Sequence, residues 1–327
     1  MSRLARRLLQ VSVVLAVAGL IPHRAEAQAP RLVKIGVLTE AWGSTPADVG
    51  LRDGLLELGY RENEQFVIGL RFTQGDLTAL PEAAQALVRR GASIIFAYGE
   101  HAAKAAQQAT NRLPVVFVGV SDPVELHLVQ SFARPGGNIT GIADNTVALA
   151  PKRLEIFHEL VPGLRRVLLP YDVSDTHSVS LLGMYRDAAR RLGITLVERP
   201  LRTEHEAGTT LARVGKSEVD GILSPKFLSL NIPGFILDTA SNQQLPAMFH
   251  SAFWVERGGL VSYAANLYDS GRQAARLVDR IVKGARPGDV PVEQPTKFDL
   301  VINVKTARVL GLTIPPSVLL RADRVIE

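Results

Sequence analysis

The chain has 327 residues, no cysteine and a formal net charge of +5. The lack of cysteine excludes disulfides, thiolate metal sites and a lipid-modified N-terminal cysteine. Lysine and arginine are scattered along the chain, which argues against a nucleic-acid-binding face. The length exceeds what one hydrophobic core usually serves, so two lobes are expected.

Residues 1–27 have the features of a secretory signal peptide. Arginines at the start are followed by the mostly apolar run Leu8–Ile21 and by Ala25-Glu26-Ala27. The run is shorter than the roughly 20 apolar residues of a membrane span. We therefore predict cleavage after about Ala27, a periplasmic location and no stable membrane insertion. Arg6-Arg7 leaves the choice between the Sec and twin-arginine export routes open.

Apolar strands alternate with amphipathic helices in the first half of the mature chain. Thr45-Pro46 supplies a helix N-cap and a proline at the first helical position. A short helix is expected to start at Asp122-Pro123. Strands are predicted over 31–39, 65–72, 93–98, 114–120 and 138–143, and helices over 45–58, 76–90 and 100–110.

The second half repeats this alternation. Strands are predicted over 165–171, 195–201, 220–224, 246–249 and 260–264, and helices over 148–160, 178–192, 204–214, 233–243 and 269–283. Continuously apolar strands separated by helices are typical of parallel sheets covered on both faces. The sequence therefore predicts an α/β fold with two doubly wound parallel-sheet lobes, joined by short hinge crossovers.

No enzyme motif is complete in this chain. Gly119-Val120-Ser121-Asp122-Pro123 lacks the second glycine of a nucleophile elbow. Gly215-Lys216-Ser217 lacks the earlier glycine of a phosphate-binding loop, because Thr210 stands there. The histidines form no H-x-x-x-H pair. We therefore predict a protein without catalytic residues, cofactor or metal site.

Ligands of open parallel sheets bind beyond the carboxyl ends of the strands, where helix N-termini attract anions. The candidate ligand-binding residues at these ends are Thr39, Glu40, Trp42, Tyr98, Gly99, Glu100, Ser121, Asp122, Asp172, Ser174, Lys226, Phe249 and Trp254. Aromatic rings would cover the apolar part of a small ligand. Amides near Gly99 and Ser121 would hold an anionic end, and Asp122 or Asp172 would accept from a donor.

Several longer motifs carry a family resemblance. They are GLRDGLLELGY at 50–60, SDPV at 121–124, RPGGNITG at 134–141, QPTKFDLVIN at 294–303 and the tail at 305–327. With these motifs the chain resembles the ABC-transporter substrate-binding proteins related to tryptophan- and phenylalanine-binding periplasmic proteins. That family has the type I periplasmic-binding fold.

The resemblance implies one lobe over 31–144 plus 267–292 and another over 145–266 plus 293–327. It also implies a small-molecule ligand between the lobes and closure that is read by an ABC transporter permease. This chain departs from the family at Glu100-His101, where members often have a small neutral loop, and at Tyr171–Asp175 and Ser224–Phe227.

The ligand is not settled by these departures. Extra acids favour an ammonium group, whereas Lys226 and the helix N-termini favour an acid, so an amino acid or related small acid suits both. The alternatives are a periplasmic ligand-sensing module of a receptor or two-component system and, less favoured, an exported α/β hydrolase.

Overall fold

The computed structural model describes residues 32–226 and 232–327, and the predicted signal peptide lies outside them. The described chain forms two α/β lobes, each built on its own sheet. Within the described residues, no helix combines the length and apolarity needed to span a membrane.

The first lobe contains a five-stranded parallel sheet in the order β2-β1-β3-β4-β5. The strands are β1 (Val33–Thr39), β2 (Phe66–Phe72), β3 (Ile94–Tyr98), β4 (Val115–Val120) and β5 (Ile139–Ala143). Between them lie α1 (Pro46–Glu57), α2 (Leu80–Arg89) and α3 (Glu100–Ala109). Every residue of β4 and β5 is buried, as expected for strands covered on both faces.

The second lobe contains a seven-stranded sheet in the order β12-β11-β10-β9-β8-β6-β7. Its strands are β6 (Arg166–Asp172), β7 (Thr195–Leu201), β8 (Gly221–Ser224), β9 (Ala247–Phe249), β10 (Val261–Ala265), β11 (Phe298–Asn303) and β12 (Arg324–Ile326). Pairing is parallel except between β10 and β11.

The remaining helices follow the same chain order. They are α4 (Thr146–Leu160), α5 (Thr176–Leu192), α6 (Glu204–Leu211), α7 (Ile232–Asn242), α8 (Ala252–Val255), α9 (Leu267–Val282), α10 (Val304–Val309) and α11 (Pro316–Leu319), with a 3-10 turn at Pro287–Asp289. The predicted two-lobed α/β fold is therefore confirmed.

Helix α9 returns from the second sheet to pack along α1 of the first lobe. Two glycines allow this close approach. A Cβ on Gly50 would lie 2.0 Å from the carbonyl oxygen of Tyr268, and one on Gly271 would lie 2.0 Å from that of Ala47. Over residues 32–226 and 232–327, the chain thus passes between the two sheets three times: from β5 to α4, from β10 to α9, and from the Pro287–Asp289 turn to β11.

Local capping decided where helices begin. Thr45 forms the expected N-cap of α1, completed by Asp48 in a capping box. Asp76 instead caps a turn, accepting from the amides of Thr78 and Ala79, so α2 starts later than predicted. The short helix expected at Asp122-Pro123 was wrong: the Asp122 carboxylate accepts from the amides of Val124 and Glu125 and stabilises turns instead.

Candidate functional site

The ammonium of Lys226, which follows β8 in the second lobe, reaches into the first lobe. Its Nζ lies 2.7 Å from Oδ2 of Asp144 and 2.9 Å from Oε1 of Glu100. It also lies 3.0 Å from the Ser121 hydroxyl oxygen and 2.9 Å from the Gly119 carbonyl oxygen. The side chain of Lys226 is 17% exposed. An ion-paired cluster therefore joins the two lobes.

The topology of parallel sheets explains why these groups meet. Glu100 begins α3 directly after β3, Ser121 follows β4, and Asp144 follows β5. The carboxyl ends of these neighbouring strands lie at one edge of the first sheet, and the end of β8 faces them. This edge is where ligands of open α/β sheets bind.

Electrostatic pairing keeps the cluster charged despite its burial. Burial opposes ionisation of Asp144, but the charge and hydrogen bond of Lys226 lower the pKa of Asp144 to about 2. The same balance holds the pKa of Glu100 below its usual value. Burial would lower the pKa of Lys226, yet the two carboxylates raise it above its ordinary range. Two anions thus share one cation.

Glu40 is a third acid beside this cluster. Its carboxylate lies over Gly99, where an added Cβ would be 2.4 Å from Oε1 of Glu40. The φ of Gly99 is +97°, a conformation that suits glycine. Burial raises the pKa of Glu40 to about 7, with Lys226 opposing and Glu100 reinforcing the rise. Burial also raises the pKa of the adjacent Tyr98 phenol to about 12.

Buried polar atoms without a hydrogen-bond partner lie at the facing strand ends of both lobes. In the first lobe they include Oε2 of Glu40 and Oε2 of Glu100. In the second lobe they are the Ser224 hydroxyl and Nδ1 of His250. Burial lowers the pKa of His250 to about 3, so this imidazole is neutral at neutral pH. Unsatisfied buried groups are costly, so these four atoms at facing strand ends indicate a place for a polar ligand.

The amides expected to hold an anionic ligand group have acceptors within the protein. The N–H of Gly99 donates to the carbonyl of Val118. The N–H of Ser121 donates to Oε1 of Glu100 at 3.0 Å. These two N–H groups thus donate within the protein in this arrangement, and binding of a ligand anion by amides near Gly99 and Ser121 stays a prediction.

Three other candidates in the first lobe are not among the contacts of the Lys226 ammonium. Thr39 is fully buried, and its hydroxyl accepts from the amide of Ala41. Trp42 is 74% exposed. Asp122 is committed to the turn that follows it. Ligand contact by these three side chains stays a prediction.

In the second lobe, the candidates are held by local structure. Asp172 is fully buried and accepts from the amide and the hydroxyl of Ser174. Phe249 is buried in the core of the lobe, with its ring 6.2 Å from that of Trp254. Ligand contact by these four residues likewise stays a prediction.

Three side chains of the site, those of Asp144, Ser224 and His250, are missing from the candidates named from the sequence. Asp144 was missed because an acid between a strand and a helix resembles an ordinary cap, and it does accept from the amide of Thr146. His250 directly follows β9. Its place at a strand end could have marked it as a candidate. Among the described residues, no group of acids and histidines is arranged to hold a metal ion.

A charged site between two α/β lobes defines a bilobal ligand-binding protein. The chain belongs to the family of ABC transporter substrate binding proteins, whose family model matches residues 33–326. Three relatives illustrate the similarity. A "Tyrosine-binding protein" of Clostridioides difficile is 25% identical over 281 residues, which cover 86% of this chain and 81% of the relative.

Two solved structures are similar along nearly their whole length. The ABC domain from Streptococcus pneumoniae in complex with L-Trp is 29% identical, with a TM-score of 0.79, covering 90% of this chain and 99% of that one. A conserved domain protein from Vibrio cholerae is 27% identical, with a TM-score of 0.78 and the same coverage. These similarities support the type I periplasmic-binding fold expected from the sequence.

Proposed function

We propose that this chain is the extracytoplasmic binding component of an ABC importer and holds a small amino-acid-like ligand between its lobes. The observation that carries the proposal is the cluster of Lys226, Glu100 and Asp144, which spans both lobes beside unpartnered buried polar atoms. The tryptophan complex and the tyrosine-binding relative support an amino acid or a close derivative as ligand.

Hinge closure is the proposed binding mechanism. A ligand that contacts both lobes favours the closed state by the contacts it makes only there. We place the lobe boundaries at 31–144 plus 267–292 and at 145–266 plus 293–327. The packing of α9 on α1 supports the first of these assignments. The permease would then distinguish closed, loaded protein from open protein.

The proposal includes binding without turnover, and delivery to permease subunits after export and cleavage near Ala27. Family membership supports this role, since the family is one of substrate-binding proteins.

A thermal-shift screen followed by calorimetry tests the function. L-Tryptophan, L-tyrosine, L-leucine and small amines should be compared with sugars and phosphates. A bound ligand stabilises by RT ln(1 + [L]/Kd), about 2.7 kcal/mol at a hundredfold excess over Kd. Stabilisation by sugars or phosphates but by no amino acid or amine would contradict the proposal.

A further inference from the structure

We propose that the interlobe cleft recognises its ligand through a cationic amine held by Glu40 and Glu100, and not through a carboxylate held by the amides of Gly99 and Ser121. This inference rests on the proposed function, because it specifies the ligand class of the same cleft. It predicts that an amine binds at least as tightly as the amino acid that differs from it only by a carboxylate.

Two buried carboxylate oxygens that accept no hydrogen bond provide the first support for a cationic ligand. Oε2 of Glu40 and Oε2 of Glu100 are buried and have no hydrogen-bond partner. Glu100 is only 5% exposed. The two residues follow neighbouring strands, β1 and β3, and the Glu40 carboxylate lies directly over Gly99, beside Glu100. An ammonium group has three N–H donors and a positive charge, so it can donate charge-assisted hydrogen bonds to both carboxylates.

Two backbone donors that could hold a carboxylate at these strand ends are engaged within the protein. Gly99 donates its amide to Val118, and Ser121 donates its amide to Glu100. The carboxylate of Glu100 thus occupies the position at Ser121 that an anionic ligand group was expected to take. Its negative charge at the first residue of α3 also disfavours a second anion at that helix N-terminus.

Two cations near the cleft, Lys226 and Arg153, donate to groups of the protein. Lys226 has three ammonium protons and four oxygen acceptors within 3.0 Å, so none of its protons is left for a ligand. Arg153 is 1% exposed and donates to the carbonyls of Tyr263 and Thr146. Lys226 therefore acts as a built-in counter-ion for Asp144 and Glu100, and the unpaired acceptors that remain favour a positive ligand group.

Matched ligand pairs separate amine recognition from amino-acid recognition. Calorimetry on the mature protein should compare L-tyrosine with tyramine, L-tryptophan with tryptamine, L-leucine with isoamylamine, and L-lysine with cadaverine. Each pair differs by the carboxylate alone. We expect at least one amine to bind as tightly as its amino acid or more tightly.

A Glu40→Gln variant tests the assigned residue. It keeps the size of the side chain and removes its charge, so the best amine should bind at least tenfold more weakly. The exposed Glu125→Gln is the matched control and should leave the Kd unchanged within twofold. Equal folding of both variants is checked by circular dichroism.

The outcomes are distinguishable. Amino acids that bind while all four amines bind tenfold more weakly would overturn this inference and leave the proposed function intact. An unchanged amine Kd in Glu40→Gln would also overturn it. Failure of every amine and every amino acid to bind would contradict both proposals together.

Discussion

Lys226 and Asp144 lie in different lobes and are 82 residues apart in the chain, yet their charged atoms are 2.7 Å apart. Glu100 pairs with the same ammonium, so one cation balances two carboxylates. The pairing exists only while the loops after β5 and β8 face each other. This contact therefore connects the position of the lobes to the charge balance of the cleft.

Replacing Lys226 should destabilise the protein strongly. Lys226→Met leaves Glu100 and Asp144 buried without their cation, which typically costs about 3–5 kcal/mol. The free energy of unfolding is measured by urea denaturation at pH 7. The exposed Lys216→Met is the matched control in the same lobe and should change stability by less than about 0.5 kcal/mol. If Lys226→Met lowered the free energy of unfolding by less than about 1 kcal/mol, the ion pair would be broken in solution.

Asp144 should contribute to acid sensitivity. Its pKa is about 2 in the folded protein against an ordinary 3.8, so its stabilising effect is present above pH 3.8 and is lost as the pH falls towards 2. The size of the shift corresponds to roughly 2 kcal/mol. Asp144→Asn, compared by urea denaturation at pH 5 and pH 2.5, should lose less stability over this interval than wild type. The exposed Asp187→Asn should lose as much as wild type.

The contribution of Glu40 to stability should have the opposite pH dependence. Its folded pKa of about 7 exceeds the ordinary 4.5, so the folded state holds a proton that the unfolded state releases between these pH values. Stability from this group therefore falls as the pH rises from 4.5 to 7, by at most about 1.4 kcal/mol per pH unit.

Glu40→Gln mimics the protonated acid and should remove that decline. Its melting temperature should exceed that of wild type at pH 8 and match it at pH 5. If the melting temperatures of wild type and variant changed in parallel between pH 5 and pH 8, Glu40 would have an ordinary pKa in the folded protein.

Gly99 should tolerate a side chain poorly for two separable reasons. Its φ of +97° strains any L-residue, and an added Cβ would also meet the Glu40 carboxylate. Gly137 has a similar φ of +104°, but an added Cβ would meet nothing within 4 Å.

Gly137→Ala therefore measures backbone strain alone, about 1–2 kcal/mol. Gly99→Ala should cost at least about 1 kcal/mol more in urea denaturation. If both variants lost the same free energy of unfolding, the Glu40 carboxylate would not lie over Gly99.

The sequence predicted regular elements well and cross-lobe contacts poorly. Continuous apolar runs located β1, β3 and β4 to within one or two residues, because buried parallel strands need them. Local carboxylate caps misled the interpretation at Asp76 and Asp122, where the same hydrogen bonds stabilise turns. The pairing of Lys226 with Asp144 depends on how two lobes face each other, which no local pattern encodes.

Hydrogen–deuterium exchange tests ligand binding between the lobes most directly. The mature protein is measured alone and with whichever of the four amines and four amino acids has the lowest Kd. We expect slower exchange in 98–102 of the first lobe and in 222–226 of the second, with 316–326 unchanged. Protection confined to one lobe would contradict a ligand that bridges the cleft.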